Sequence, residues 1–312
     1  MTTQSGTKDM TILELIEHHA AQLDAAGVAY GHGTTNSFDE AAWLVLWKLG
    51  LPLDSSLAPT QEDADSLANR PVAKSQQVSI AALFSARITL RKPAAYMTQE
   101  AWLQGVAFYV DERAIVPRSF IAELLVQAEG ADNLDPWLRE DTRRVLDLCT
   151  GNGSLAVIAA MVFPEVHVDA VDLSADALAV AKINIAKHGL QDRITLSLSD
   201  GLNTVSGPYD LILCNPPYVN ATSMAALPAE YLAEPTLALA GGVDGMGFIR
   251  QLLRDAPAHM SPQAVLVLEI GNERENFEAA FPRLEVFWLE TSAGDEQVLL
   301  VTCEALAALS TS

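Results

Sequence analysis

Apolar positions recur at helical spacing through residues 11–95. Ile12, Leu13, Leu15, Ile16 and Leu23 fall toward one side of a helix, with polar residues between them. Ser37-Phe38-Asp39-Glu40 has the form of a capping box before the apolar run Ala41 to Leu46, so a second helix is expected to start there. From Ala95 to Pro117 the pattern changes. Val106 to Val110 and Ala114 to Val116 are aromatic or β-branched, and Asp111-Glu112-Arg113 separates them, which predicts a β-hairpin linking two domains.

Beyond residue 117, periods of two and of three to four alternate. A helix is expected near Ile121 to Glu129, and strands at Arg144 to Leu148, Val166 to Val171, Ile194 to Leu198, Tyr209 to Cys214 and Ala264 to Ile270. Helices are expected from Ser154, from Ser174 to His188 before Gly189, and around Gly247 to Ala258. This is the βαβ rhythm of a doubly wound, mostly parallel sheet. Leu284 to Leu289 and Val298 to Thr302 flank the turn-rich stretch Glu290 to Gln297 and predict a closing antiparallel hairpin. The expected organisation is a small helical domain at 1–95, a linking hairpin at 96–117 and an α/β domain at 118–312.

Composition narrows the function. Half of the 312 residues are hydrophobic and 19% are charged, which excludes a disordered chain. The net charge is −21, with the acidic excess concentrated after residue 117. A field of that sign repels phosphate backbones, so direct DNA binding is not expected and a basic protein partner fits better. Cys149, Cys214 and Cys303 have neither disulfide-framework nor zinc spacing, and no metal is expected. Residues 1–10 lack an apolar signal core, and the run Leu155 to Phe163 is far shorter than the roughly 20 residues of a membrane span. A cytoplasmic protein with no membrane association is expected.

The first strand of the α/β region runs into Asp147-Leu148-Cys149-Thr150-Gly151-Asn152-Gly153, where glycines let the backbone turn tightly against a ligand. The next strand ends at Asp172, beside Leu173, where a carboxylate can accept hydrogen bonds from both ribose hydroxyls. A nucleoside is the expected ligand, although these two features alone do not separate a nicotinamide dinucleotide from S-adenosylmethionine. Asn215-Pro216-Pro217-Tyr218 follows the apolar run that Cys214 closes. Two prolines without N–H groups send the chain out of the sheet in a rigid, extended turn. The Asn215 side chain and the Pro216 carbonyl can then accept both N–H groups of a planar amide and align its nitrogen with an electrophilic methyl.

Asp147 to Gly153, Val171 to Ser174, Ser199-Asp200 and Asn215 to Tyr218 together resemble class I S-adenosylmethionine methyltransferases. Arg91 to Tyr96, Phe108 to Ser119, Glu234-Pro235 and Gly241 to Gly245 are similar to the HemK-like protein-glutamine N5-methyltransferases. Val116-Pro117-Arg118-Ser119 and Ala95 to Gly105 resemble the PrmB branch of that family, which modifies large-subunit ribosomal protein L-three. The resemblance implies a Rossmann-like, seven-stranded, mostly parallel sheet. It further implies that Cys149, Thr150, Gly151, Asn152 and Gly153 hold the methionine part of the cofactor, Asp172 the ribose, and Asp200 with Gly201 the adenine, with Asp147 and Leu173 also among the cofactor-binding residues. Asn215, Pro216, Pro217 and Tyr218 would hold and methylate the glutamine amide, with Asn215 also touching the cofactor. Gly201 departs from relatives that carry Leu or Trp and leaves a thinner adenine wall. The expected partner is a basic large-subunit ribosomal protein or its assembly precursor. The alternatives are a release-factor glutamine methyltransferase, an adenine-N6 DNA methyltransferase, and a noncatalytic ribosome-assembly factor.

Overall fold

The computed structural model describes residues 9–57 and 66–310. Most of the stretch read for a signal core, residues 1–10, lies outside the described residues. In chain order the helices α1 (Ile12–Ala26), α2 (Ser37–Leu49), α3 (Lys74–Leu90) and α4 (Ala94–Thr98) come first, then a short hairpin, β1 (Ala101–Leu103) and β2 (Val106–Phe108). Next are α5 (Ile121–Val126), β3 (Arg144–Leu148), α6 (Ser154–Val162), β4 (His167–Asp172), α7 (Ala175–Lys187), β5 (Ile194–Leu198) and β6 (Tyr209–Cys214). The chain closes with α8 (Ala221–Ala225), α9 (Ala229–Leu232), α10 (Gly247–Asp255), β7 (Met260–Glu269), α11 (Arg274–Ala280), β8 (Phe287–Thr291), β9 (Gly294–Thr302) and α12 (Cys303–Ser310).

Two compact units result. One holds the chain up to Thr98 together with Pro228–Ala233, and the other holds Gln99–Leu227 and Glu234 onward. In the first, Ile12, Leu15, Ile16 and Leu23 of α1 pack with Leu44 and Val45 of α2 and Ile80 and Phe84 of α3. Thr11 and Glu14 form a reciprocal capping box at α1. The box expected at Ser37–Glu40 is absent: Asn36 caps α2 by accepting from the Asp39 N–H. Glu40 is instead buried and accepts from Nε of Arg87 at 2.8 Å. Arg87, itself fully buried, also donates to Glu230 at 3.1 Å and to the Ala29 carbonyl at 3.1 Å. A buried guanidinium needs such partners, and that demand overrode the local capping signal.

The second unit is built on a seven-stranded sheet of order β5-β4-β3-β6-β7-β9-β8. β5 to β7 run parallel through the centre, and β9 pairs antiparallel with β7 and β8. Alternate residues supply opposite cores. Val145, Leu211, Leu213, Val265 and Val267 face α5 and α6, while Leu146, Ile212, Leu266 and Leu268 face α10 and α11. Burial on both faces explains why these strands read as continuous apolar runs. The sheet changes winding direction between β3 and β6, so their carboxyl ends open a crevice. Leu148 pairs with Cys214, which brings the glycine turn and the Asn-Pro-Pro-Tyr motif to the same edge.

Two expectations are corrected here. The hairpin of this region is Ala101–Leu103 with Val106–Phe108, not Val106–Val110 with Ala114–Val116, and it lies within the second unit. Gln104 and Gly105, with φ of 48° and 75°, supply its two-residue turn. At the expected turn, the Asp111 carboxylate accepts from the Arg113 N–H and guanidinium and from Tyr109 OH. These side-chain bonds replace ladder pairing. The closing hairpin is tighter than expected, with Thr291 already paired to Gly294, and α12 follows it without a sequence break.

Candidate active site

At the carboxyl ends of β3 and β6 lies a cleft with a cavity volume of about 110 Å³. Cys149 and Gly151 form part of one wall. Cys149 has φ 62°, a left-handed conformation that costs a non-glycine residue roughly 1 kcal/mol and is typical of a strained ligand loop. Asp147 is fully buried and does not line the cleft. Its carboxylate accepts from the Thr150 hydroxyl and from the Ala156 N–H at 3.0 Å, capping α6, which has no side-chain cap at its own Gly153. Burial pushes this carboxyl up to about 7. Thr150, Asn152 and Gly153 likewise stand outside the cleft lining.

Asp172 does line the cleft. It accepts from the Gly151 N–H at 2.8 Å and the Ser174 N–H at 2.8 Å, so the same carboxylate ties the glycine turn to the start of α7. Burial raises its pKa. Each carboxylate oxygen retains a lone pair for a ligand hydroxyl. Leu173, Asp200 and Gly201 continue the wall. A methyl group built at Gly201 would stand 3.6 Å from Cε2 of Phe248, so an aromatic ring on α10 fills the wall that glycine leaves thin. Phe248 carries no motif, being one apolar position among several on an amphipathic helix, and sequence reasoning passed over it. Arg113 and Ile115, and Pro235 with Leu237, also border the cleft without having been singled out as site residues.

Of the acceptor motif, Asn215 and Pro217 line the cleft, whereas Pro216 and Tyr218 do not. Tyr218 turns toward the end of β7. A methyl group at Gly271 would lie 2.5 Å from its ring, and one at Gly245 would collide with its carbonyl oxygen. Only glycine permits this approach, which gives the Gly241 to Gly245 stretch a physical reason. The Tyr218 hydroxyl lies 3.4 Å from Oε1 of Glu269, and burial raises its pKa. Glu269 is buried, accepts from Ser119 Oγ at 2.6 Å and the Phe120 N–H at 2.9 Å, and is pushed by burial up to about 7. Arg118 donates to both oxygens of buried Glu234, at 2.6 and 2.7 Å, and the Val116 N–H adds a third bond. Asn220 donates to Glu273 at 2.7 Å.

An apolar wall, a carboxylate acceptor and a strained turn fit a nucleoside with an extended polar tail, and Asn215 borders the same space. Comparison with known proteins gives this geometry a lineage. Residues 129–240 match the Methyltransferase small domain family. The ribosomal protein uL3 glutamine methyltransferase of Bordetella pertussis is 50% identical over 299 residues, covering 95% of this chain and 96% of that protein. The protein of the same name from Burkholderia pseudomallei is 48% identical over 324 residues, covering 98% and 99%.

The chain belongs to the ribosomal protein uL3 glutamine methyltransferase family.

Membership makes it an enzyme, a methyltransferase, of the HemK-like kind the motifs suggested. Among solved structures, the hMettl16 catalytic domain in complex with MAT2A 3'UTR hairpin 6 superposes with a TM-score of 0.50 at 12% identity, covering 73% of this chain and 81% of that one. That likeness speaks to the fold alone, and with the seven-stranded sheet it places the second unit among class I methyltransferases. Among the described residues no group of three or more His, Cys, Asp or Glu side chains is arranged to hold a metal ion. No described helix is long and apolar enough to cross a membrane.

Proposed function

We propose that this uL3 glutamine methyltransferase family member transfers a methyl group from S-adenosylmethionine to the side-chain amide nitrogen of a glutamine in large-subunit ribosomal protein uL3. The observation that carries the reading is the position of Asn215: it directly follows β6, and it lines the same cleft as Cys149, which directly follows β3. When bound, S-adenosylmethionine supplies a methyl group on a positively charged sulfur. Asp172 would hold the ribose hydroxyls, and Asp200 and Gly201, with Leu173 and Phe248 beside them, would flank the adenine. The backbone around Cys149 and Gly151 would hold the methionine part.

The Asn215 side-chain oxygen and the Pro216 carbonyl would accept the two N–H groups of the glutamine amide. An amide nitrogen is a poor nucleophile because its lone pair is delocalised, so catalysis rests on alignment of that nitrogen with the methyl group. A nitrogen–carbon bond forms, the sulfur–carbon bond breaks, and one amide proton leaves to solvent. The helical unit, expected at residues 1–95, would recognise the protein substrate, and the acidic field would speed encounter with a basic ribosomal protein or its assembly precursor. The site of action would be the cytoplasm.

The test is transfer of labelled methyl to unmethylated uL3, to release factor and to DNA in parallel, with peptide mapping. Label on a uL3 glutamine is the expected result, and label on release factor or DNA alone overturns the substrate. Asn215→Ala should lower turnover about 100-fold or more while leaving S-adenosylmethionine affinity within about twofold. Unchanged turnover removes Asn215 from the mechanism.

A further inference from the structure

Cys214 and Leu268 are the last paired residues of β6 and β7, and Asn215 and Glu269 are the residues that follow them along the two parallel strands. Glu269 is a carboxylate with 1% of its surface exposed, one residue past that last pair. It carries no part of the proposed transfer. A buried carboxylate at such a position is costly unless its bonds accomplish something that an apolar residue could not.

Its bonds converge from two directions. Ser119 Oγ and the Phe120 N–H reach Oε2 from the corner that precedes α5, at 2.6 and 2.9 Å. Tyr218 OH reaches toward Oε1 from the end of the acceptor motif, at 3.4 Å. Two residues later Gly271 supports the Tyr218 ring, so strand end, ring and hydroxyl form one contact surface. Arg118 is the charged neighbour that acts on Glu269, and Arg118 and Glu234, themselves paired, both act on Tyr218.

We propose that Glu269 is a positioning residue for the acceptor motif: by tying the Ser119–Phe120 corner and Tyr218 to one carboxylate, it fixes the direction in which the chain leaves β6 and therefore where Asn215 presents its oxygen. The proposal rests on Asn215 as the amide-binding residue. Glu269 acts through Tyr218 and the corner and does not touch the reacting atoms. A residue of purely structural value would weaken the fold and the cofactor cleft together, whereas a positioning residue lowers turnover while cofactor affinity stays put.

The experiment is a double-mutant cycle in the full-length protein with Glu269→Gln, Tyr218→Phe and the pair, reading turnover on uL3, S-adenosylmethionine affinity and the urea midpoint. Glu269→Gln should lower turnover about 10- to 100-fold with cofactor affinity within about twofold. Tyr218→Phe should cost less, and the double variant should be no worse than Glu269→Gln alone, since both remove one connection. Losses that multiply, unchanged turnover, or a loss tracking cofactor affinity would overturn the assignment. A second measurement needs no substrate. Amide exchange in peptides spanning 215–220 should quicken in Glu269→Gln while the 147–153 turn stays protected, and no change there also overturns it. Wild-type protein that labels nothing on uL3 overturns the substrate reading alone, because the exchange measurement still decides the role of Glu269.

Discussion

The two loops that line the cleft are held in opposite ways. The cofactor turn is fixed from nearby: Asp147 bonds Thr150, three residues on, and Ala156, nine on, while Gly151 donates to Asp172, twenty-one on. The acceptor loop is fixed from afar. Val116 and Arg118 grip Glu234 across 118 and 116 residues, Ser119 grips Glu269 across 150, and Asn220 grips Glu273 across 53. The binding turn therefore comes ready-made with its strand and helix. The acceptor loop depends on partners distant in the chain, so the two halves of the site should fail independently.

Breaking the acceptor side at its strongest long-range bond should have the largest effect. Arg118→Ala removes both guanidinium bonds from the Glu234 carboxylate, whose side chain is wholly buried, while the bond from the Val116 N–H stays. Removing one partner of a buried pair costs about 3 kcal/mol or more, because the remaining charge keeps its desolvation penalty. Urea unfolding should show that loss, and turnover of the still-folded fraction should fall further than S-adenosylmethionine affinity. If affinity and turnover fall in step, the two loops are not separable and the contrast collapses.

The same contrast explains what was legible in the sequence. The strands Arg144–Leu148 and Tyr209–Cys214 end where the apolar runs end, since burial on both faces marks nearly every residue, whereas the edge strand Ile194–Leu198 shows as an alternation of apolar and polar residues. The glycine turn and Asp172 were readable because their constraints are local. Glu269, Glu273 and the partner of Glu40 were not, because a lone carboxylate says nothing about which distant donor it will meet. Asp111-Glu112-Arg113 misled for a related reason: a polar triplet between apolar runs resembles a hairpin loop, but its carboxylate captured the backbone and guanidinium of Arg113. α12 follows β9 directly, with no turn signal between them, and is held by Leu306, which is fully buried.

A smaller effect should come from steric change at the acceptor loop. Gly245 has φ 78°, and an added methyl group would strike the Tyr218 carbonyl oxygen. Gly245→Ala combines a left-handed penalty with a backbone clash, together about 2 kcal/mol. Thermal unfolding should fall accordingly, and turnover should drop several-fold at saturating S-adenosylmethionine. A matching loss of cofactor affinity would show that the Tyr218 slot also shapes the cofactor turn.

The finest test compares the two loops by their response to pH. Asp147 in one and Glu269 in the other are both raised to about 7, because burial penalises the charged carboxylate more than its hydrogen bonds relieve it. In the unfolded chain both return to the ordinary carboxylate range near pH 4. The folded form then holds protons the unfolded form has released, so each group contributes stability that is fully present below about pH 4 and is lost as pH rises through about 7. Between pH 6 and pH 8 each should remove roughly 1 kcal/mol of unfolding free energy. Asp147→Asn deletes its own share and leaves that of Glu269, so the loss of unfolding free energy between pH 6 and pH 8, measured by urea unfolding without added cofactor, should shrink by roughly 1 kcal/mol. A variant that keeps the full slope would mean that Asp147 is already ionised at pH 6. The bonds from Thr150 and Ala156 would then outweigh its burial, leaving Glu269 and the acceptor loop as the sole source of the pH response among these two groups.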